Sequence, residues 1–298
     1  MDKHVVSYSE LDTYRQCPLK HQWAYKERWK KPAAEGGALA KGSLWHLVLE
    51  DHYLTLMNGG TLVEAEKAAR LHLMDQVTGY QSETQELLEW IYDGHVAHYG
   101  AEEHWKILAV EYPFQINLKD PDGNDSPYDL KGKIDLVVQD RSNGQVWVLD
   151  HKSGAQMPDQ MMMEIDDQFG IYVWALNQPG HDRWKPSGAI HSAARTTRNL
   201  PDKPGYKGKS LPQTMAQRFR RTYLNRSDTE LRAVALDAWA VAANAYPEND
   251  DRPLYSSPDP RMCGWKCDYK EIHLMARQGR DHAETMTENG FVQDFTRH

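Results

Sequence analysis

No segment of this 298-residue chain approaches the roughly 20 consecutive apolar residues of a membrane-spanning helix. The first residues, Met-Asp-Lys-His-Val-Val-Ser, lack the charged-then-apolar pattern of a secretory leader. There is no internal repeat and no low-complexity tract. Cysteine is scarce, with three residues, too few to build a disulfide scaffold. The expectation is a soluble cytoplasmic protein. Positive charge is also in short supply: 35 Lys and Arg against 43 Asp and Glu leave a net charge of −8. Taken alone, that balance argues against a nucleic-acid partner.

The distribution of charge reverses the argument. Between Arg183 and Arg226 stand eleven Lys or Arg and one acid, Asp202. A basic block on an acidic body is the footprint of a polyanion site, and a solvated loop with chance charge is the competing reading. Pro201, Pro204, Gly205 and Gly208 make the middle of the block a loop. Arg195, Arg198, Lys207, Lys209, Arg218, Arg220 and Arg221 are its candidate contacts to a phosphate backbone.

What the chain does have is a hydrophobic content of 40%, enough for a packed core. Ser7-Tyr-Ser-Glu10 predicts a capped helix that reaches Cys17-Pro18, and Trp23, Tyr25 and Trp29 follow on a second helical run. Further helices are predicted over 38–57 and about 83–99, with a capping box at Thr61-Leu-Val-Glu64. A sheet should occupy about 105–151. After it come a helix over 160–177, a strand near 187–194, helices at about 213–224 and 228–246, and an irregular C-terminal part. Helices before and after a central sheet predict an α/β fold without a convincing domain boundary.

The chemistry concentrates in Gly-Lys-Ile-Asp135-Leu-Val-Val, a turn, and Val-Leu-Asp150-His151-Lys152-Ser153. The turn Arg-Ser-Asn-Gly-Gln carries an Asn-Gly pair, so the two apolar runs read as an antiparallel hairpin. Asp150 and Lys152 are two apart and share a face where the strand is regular. Carboxylates at the end of a buried strand need a partner, because burying unpaired charge is costly. A hard divalent cation such as Mg²⁺ is one, since it takes oxygen ligands. A hairpin-edge aspartate with a surface ion pair is the competing reading. Gln168 and Tyr172 are four apart on one helical face, where ordinary packing also accounts for them. His46 sits in an amphipathic helix and Glu111 in a strand before the hairpin. A hydrogen-bonded core histidine and a structural ion pair are their alternatives.

In order along the chain, His46, Glu111, Gly-x-x-Asp135, Asp150-x-Lys-Ser and Gln168-x-x-x-Tyr172 resemble the PD-(D/E)XK nuclease superfamily, within it the RecB-like branch of CRISPR-associated and phage-borne exonucleases. The resemblance spans residues 8 to about 275. It implies a restriction-endonuclease-like central mixed sheet flanked by helices, with N- and C-terminal helical additions. As one domain, it would comprise a helical part (1–104), a catalytic core (105–195) and a basic loop, helices and metal-binding segment (196–298). It implies Mg²⁺ or Mn²⁺ held by Asp135, Asp150, the His151 carbonyl and His46. Lys152 would orient or deprotonate water, Glu111 would support a second cation, and Gln168 and Tyr172 would contact phosphate or support Lys152. The substrate would be DNA, single-stranded or with free ends, in phage or mobile-element processing (then in a host cytoplasm). A non-catalytic DNA-binding or spacer-acquisition partner on the same fold is the alternative, and a zinc-stapled structural protein a third.

The cysteines carry a separate expectation. Cys263 and Cys267 have three residues between them, Cys267 and His273 have five, and Cys17 lies far upstream. Short spacings inside a cell suggest metal rather than disulfide. Iron–sulfur members of the resembled branch place one cysteine near the N-terminus and three near the C-terminus, and His273 falls where the fourth cysteine would stand. A [4Fe–4S] cluster, zinc on a Cys₃His set, and no metal all remain open.

Overall fold

A computed structural model describes residues 3–32, 37–77, 82–198, 213–247 and 254–295. In chain order the elements begin with β1 (His4–Ser7), α1 (Tyr8–Gln16), α2 (Pro18–His21) and β2 (Trp29–Lys30). Next come α3 (Ala38–Met57), α4 (Leu62–Val77), α5 (Ser82–Tyr99), β3 (Trp105–Lys119), β4 (Asp125–Asp140) and β5 (Val146–Gly154). They are followed by α6 (Gln160–Glu164), α7 (Asp167–Leu176), β6 (Gly188–Arg195), α8 (Met215–Arg218), β7 (Phe219–Asn225) and α9 (Asp228–Ala245). The chain closes with α10 (Pro260–Lys266), α11 (Lys270–Arg277), α12 (His282–Glu288) and β8 (Val292–Gln293). These elements form two units: Met1–Ala33, Asn117–Lys131 and Ala235–His298 make one, and Ala34–Ile116 with Gly132–Val234 the other.

In the first unit, Ser7 caps α1 by accepting from the Glu10 amide at 3.2 Å. The Glu10 carboxylate does not return to the cap as a full capping box would. It meets His21 Nε2 at 3.1 Å and accepts from the Tyr246 hydroxyl. α1 stops where Cys17 turns extended ahead of Pro18, as a residue before proline tends to do. β1 runs parallel to Tyr128–Lys131 of β4, and β2 pairs antiparallel with β8. Trp29, expected on a helix, is thus on a strand. It packs with Trp23, Tyr269, Ile272, Met286 and Phe291. The C-terminal part, expected to be irregular, contains α10, α11 and α12. Asp259 caps α10 through the amides of Arg261 and Met262, and Asp281 caps α12 through that of Glu284.

The second unit holds the hairpin. β4 and β5 pair antiparallel, β5 and β6 parallel, β6 and β7 antiparallel, so the sheet is mixed, with β3 beside β4. Asn143 Oδ1 accepts from the Gln145 amide at 2.8 Å, and Gly144 takes a left-handed φ of 76°, which closes the turn. β5 is buried from Val146 to His151, as a strand with neighbours on both edges should be. Leu136, Val138, Trp147, Leu149 and Ile190 join one core with Trp45, Leu49 and Tyr53 of α3 and Leu88 and Tyr92 of α5. Strand alternation sends Asp150 and Lys152 to the opposite face, where α7 lies.

Two expectations change here. Residues 219–225 form β7 rather than the end of a helix. Phe219-Arg-Arg-Thr-Tyr is rich in aromatic and β-branched residues, and the strand completes the ladder of β6. The helix expected over 160–177 is two helices. Asp166 Oδ1 accepts from the Gln168 amide at 2.9 Å and starts α7 afresh.

Candidate active site

The two hairpin strands bring Asp135 and Asp150 onto one face, and both are buried, at 9% and 2% exposure. Asp135 Oδ2 accepts from the His151 main-chain N–H at 2.7 Å and lies 3.2 Å from His46 Nδ1. One oxygen of Asp135, one of Glu111 and a His46 ring nitrogen lie within 4.8 Å of one another. Among the described residues this is the only such trio of His, Cys, Asp or Glu. That donor set fits a hard divalent cation, for which carboxylate and imidazole are ordinary ligands.

Asp150 stands beside the trio. Burial pushes its carboxyl up to about 6, the Asp135 charge adds to the rise, and Lys152 opposes it. Asp150 Oδ2 is 2.8 Å from Lys152 Nζ. Lys152 Nζ also donates to Gln168 Oε1 at 2.9 Å. Burial works against the Lys152 charge, but Asp150 outweighs it and the ammonium is held above its usual range. Gln168 Nε2 in turn donates to the Tyr172 hydroxyl at 2.7 Å and approaches Asp150 Oδ1 at 3.4 Å. Burial raises the Tyr172 phenol, so it stays neutral. Asp150, Lys152, Gln168 and Tyr172 are therefore one connected set, with Asp135 beside it on the neighbouring strand, and the amide side chain fixes the lysine.

The surroundings are shaped to fit. A Cβ on Gly132 would stand 2.5 Å from the Phe114 ring, whose edge meets Tyr172, so glycine alone fits there. Glu111 takes a left-handed φ of 51° in the middle of β3, a conformation that costs a non-glycine residue of order 1 kcal/mol. Its carboxylate is paired with Lys133, and burial raises it. Burial works against the His46 imidazolium, and the hydrogen bond to Asp135 overcomes this to raise the ring. The His151 side chain points away from the carboxylates and stacks on Tyr53, with ring centroids 5.4 Å apart.

Three participants were not singled out in the sequence. Lys133 precedes Asp135 by two and reaches Glu111. Glu50 is one helical turn beyond His46 and adds its charge to the raising of Glu111. Asp166 caps α7 and contributes to holding Lys152 charged. The i,i+4 spacing of His46 and Glu50 was the available signal.

The basic candidates separate. The Arg221 side chain is 8% exposed and paired with Glu102, which is wholly buried. Its guanidinium lies 3.6 Å from the Tyr99 ring centroid and 4.4 Å from that of Trp105. Arg218 is buried on Trp90, 3.8 Å from its ring centroid, and donates to the Trp90 carbonyl at 2.6 Å. These two, expected to face phosphate, are committed inside the fold. They sit on the strand and short helix that replace the helix expected over about 213–224. Arg220 is exposed and donates to the Pro158 carbonyl. Arg195 is paired in register with Gly154, two residues past Lys152, and Arg198 lies over Trp90 at 4.8 Å. Lys207 and Lys209 lie outside the described residues.

Cys17, Cys263, Cys267 and His273 line a single cavity of about 440 Å³ in the first unit. All three thiols are free, and burial pushes that of Cys267 up, with Cys263 and Cys17 adding to the rise.

No helix among the described residues is long and apolar enough to cross a membrane. A search of curated proteins found no match. Solved structures that are similar at low identity include two that align over most of the chain. "Crystal structure of SSO0001" is 12% identical, covering 91% of this chain and 89% of that one, with a TM-score of 0.38. A "Putative exonuclease" from Eubacterium rectale is 13% identical, covering 88% of this chain and 93% of that one, with a TM-score of 0.45. The sequence profile of the PD-(D/E)XK nuclease superfamily matches residues 5–272, which include every residue of the carboxylate–lysine set, and the chain therefore belongs to that superfamily.

Proposed function

We propose that this protein is a divalent-metal-dependent DNA exonuclease that works from the free ends of single strands or of duplexes. The observation that carries the reading is the joint placement of Asp135, Asp150 and Lys152, with Lys152 Nζ held between Asp150 at 2.8 Å and Gln168 at 2.9 Å. His46, Glu111, Asp135 and Asp150, with the His151 carbonyl, are the proposed Mg²⁺ or Mn²⁺ ligands. A cation there supplies charge at a phosphoryl oxygen and acidifies a water. Lys152, held protonated, presents its positive charge to the phosphate as negative charge develops. Its raised pKa argues for that role over proton abstraction. Gln168 holds the ammonium, and Tyr172 holds Gln168. Arg195, Arg198 and Arg220 are the proposed phosphate contacts along the strand.

End-labelled linear DNA should be degraded with Mg²⁺ or Mn²⁺ and preserved with EDTA, and covalently closed single-stranded circles should resist. Lys152→Ala should lower the rate at least ~10²-fold, the scale for removing one electrostatic donor, with the fold intact. Cleavage of closed circles, or cleavage that survives EDTA, would refute the assignment.

We further propose that Cys17, Cys263, Cys267 and His273 hold a structural metal, a [4Fe–4S] cluster or zinc. Three thiols and an imidazole lining one cavity support this reading, while no three of their ligand atoms lie within 4.8 Å of one another, a wider spread than the ligands of one zinc take. Cys17→Ala should lower stability more than the cleavage rate of the folded fraction. Iron and sulfide in protein purified without oxygen would identify a cluster, one zinc a single ion, and neither metal would remove the site.

A further inference from the structure

The segment between Lys152 and Gln168 leaves the active site and returns to it. Its two ends touch, through the 2.9 Å bond from Lys152 Nζ to Gln168 Oε1. At its tip is α6, with the sequence Gln-Met-Met-Met-Glu followed by Ile165. Of its apolar residues only Met163 is buried. Met161, Met162 and Ile165 are 70%, 61% and 66% exposed. At helical spacing, Met161 and Ile165 are i,i+4 and Met162 and Ile165 are i,i+3, so the three form one apolar face.

The segment is braced. Arg226 Nη2 donates to the Met163 carbonyl at 3.2 Å and to the Glu164 carbonyl at 2.8 Å, satisfying the open C-terminal end of α6. Arg220 donates to the Pro158 carbonyl. Asp159 caps the helix through the Met161 amide at 2.9 Å. Gln160 donates to Glu164 at 3.0 Å and keeps that carboxylate occupied at the side of the helix. Two thioethers and an isoleucine held together on a tied-down turn present an apolar face to solvent, the kind of patch that takes a ligand when it lies beside a binding site.

The occupant follows from continuity with the site. A phosphodiester set at Lys152 carries its neighbouring nucleotides past the segment that starts at Lys152. The apolar surface that those nucleotides offer is the face of the base. Thioethers are polarizable and adaptable and make favourable contact with aromatic rings, and base faces are sequence-independent. Resting on the nuclease reading above, we infer that Met161, Met162 and Ile165 form a platform that takes an unpaired nucleobase next to the scissile phosphate.

The test uses the full chain in EDTA and a linear single-stranded DNA, intact or with abasic sites near one end. The triple variant Met161→Ser, Met162→Ser, Ile165→Ser should bind intact DNA about tenfold more weakly, on the scale of one lost base contact. It should bind the abasic strand as the wild type does, and the slope of log affinity against log salt should not change, because no phosphate contact is lost. The exposed positions leave thermal stability unaltered, which circular dichroism checks. Equal affinity of variant and wild type for intact DNA overturns the platform, as does an equal loss on the abasic strand. So does a wild-type dimer that the variant dissolves, since a second copy would then be the occupant. A wild type that cuts DNA with metal while the variant binds normally removes the platform alone. A wild type that neither binds nor cuts DNA removes the nuclease reading as well.

Discussion

Asp150→Asn should yield a protein that is more stable than the wild type in the absence of metal and inactive in its presence. The wild-type carboxyl is buried and held near 6, above its ordinary 3.8. Its ionisation on folding therefore costs up to ~3 kcal/mol at pH 7. Asparagine reproduces the shape of the uncharged acid and removes the cost. The sign of the pH dependence follows. Above about pH 6 the wild type bears the whole penalty, so the variant's advantage is largest there. The advantage shrinks as the pH falls and vanishes below about 4, where both folded and unfolded carboxyls are protonated. The Asp150 charge also helps raise His46 and Lys152, so the variant loses that support and the gap is smaller than the carboxyl alone would make it. Urea midpoints in EDTA between pH 4 and 8 measure it. A variant that is less stable at pH 7, or a gap that widens in acid, would sink the account. The same comparison with Mg²⁺ should narrow the gap, because a cation at the site stabilises the charged wild type alone.

Arg221→Ala should destabilise the second unit by ~3–5 kcal/mol, the range for breaking one side of a buried ion pair. The guanidinium is 2.8 Å from Glu102 Oε2, also contacts Oε1, and donates to the Tyr53 hydroxyl at 3.3 Å. Its loss leaves a wholly buried carboxylate uncompensated. Tyr53 also reaches His95 at 3.1 Å, so the polar network beneath the sheet loosens with it. Adding Glu102→Gln should recover part of the loss, since no charge is then stranded. In the fraction that remains folded, the salt dependence of DNA binding should be unchanged. A stable Arg221→Ala protein with a flattened salt slope would show that Arg221 meets phosphate after all.

Arg221 also illustrates where the sequence could be read and where it could not. The hairpin was legible because its signals are local. Asn-Gly between two apolar runs fixes the turn, and the period of two fixes which side Asp150 and Lys152 share. The helix at 38–57, with His46 on it, was legible from its own periodicity. β7 was not. Phe219-Arg-Arg-Thr-Tyr-Leu-Asn has no turn signal before it, and the strand forms because β6 offers an open edge far away in sequence. The charge count alone grouped Arg218, Arg220 and Arg221 in one basic block. The strand puts Arg220 and Arg221 on opposite faces, one exposed and one in the core. The Glu111–Lys133 pair and the left-handed backbone at Glu111 are likewise products of β3 lying beside β4. No spacing rule encodes them. Cys263, Cys267 and His273 were grouped by their spacing, while nothing local says that residue 17 lines the same cavity as residue 263.

One contact sets which kinds of change this site can absorb during divergence. The Asp135 carboxylate is oriented by the main-chain N–H of His151. Every amino acid except proline carries that donor, so a replacement at 151 that fits the space beside Tyr53 need not move the first carboxylate. Length is another matter. Removing one residue from the turn at 141–145 would slide the two strands past each other by a step, breaking this contact and turning Asp150 and Lys152 away from Asp135. In this hairpin, lineages should tolerate many replacements and few indels.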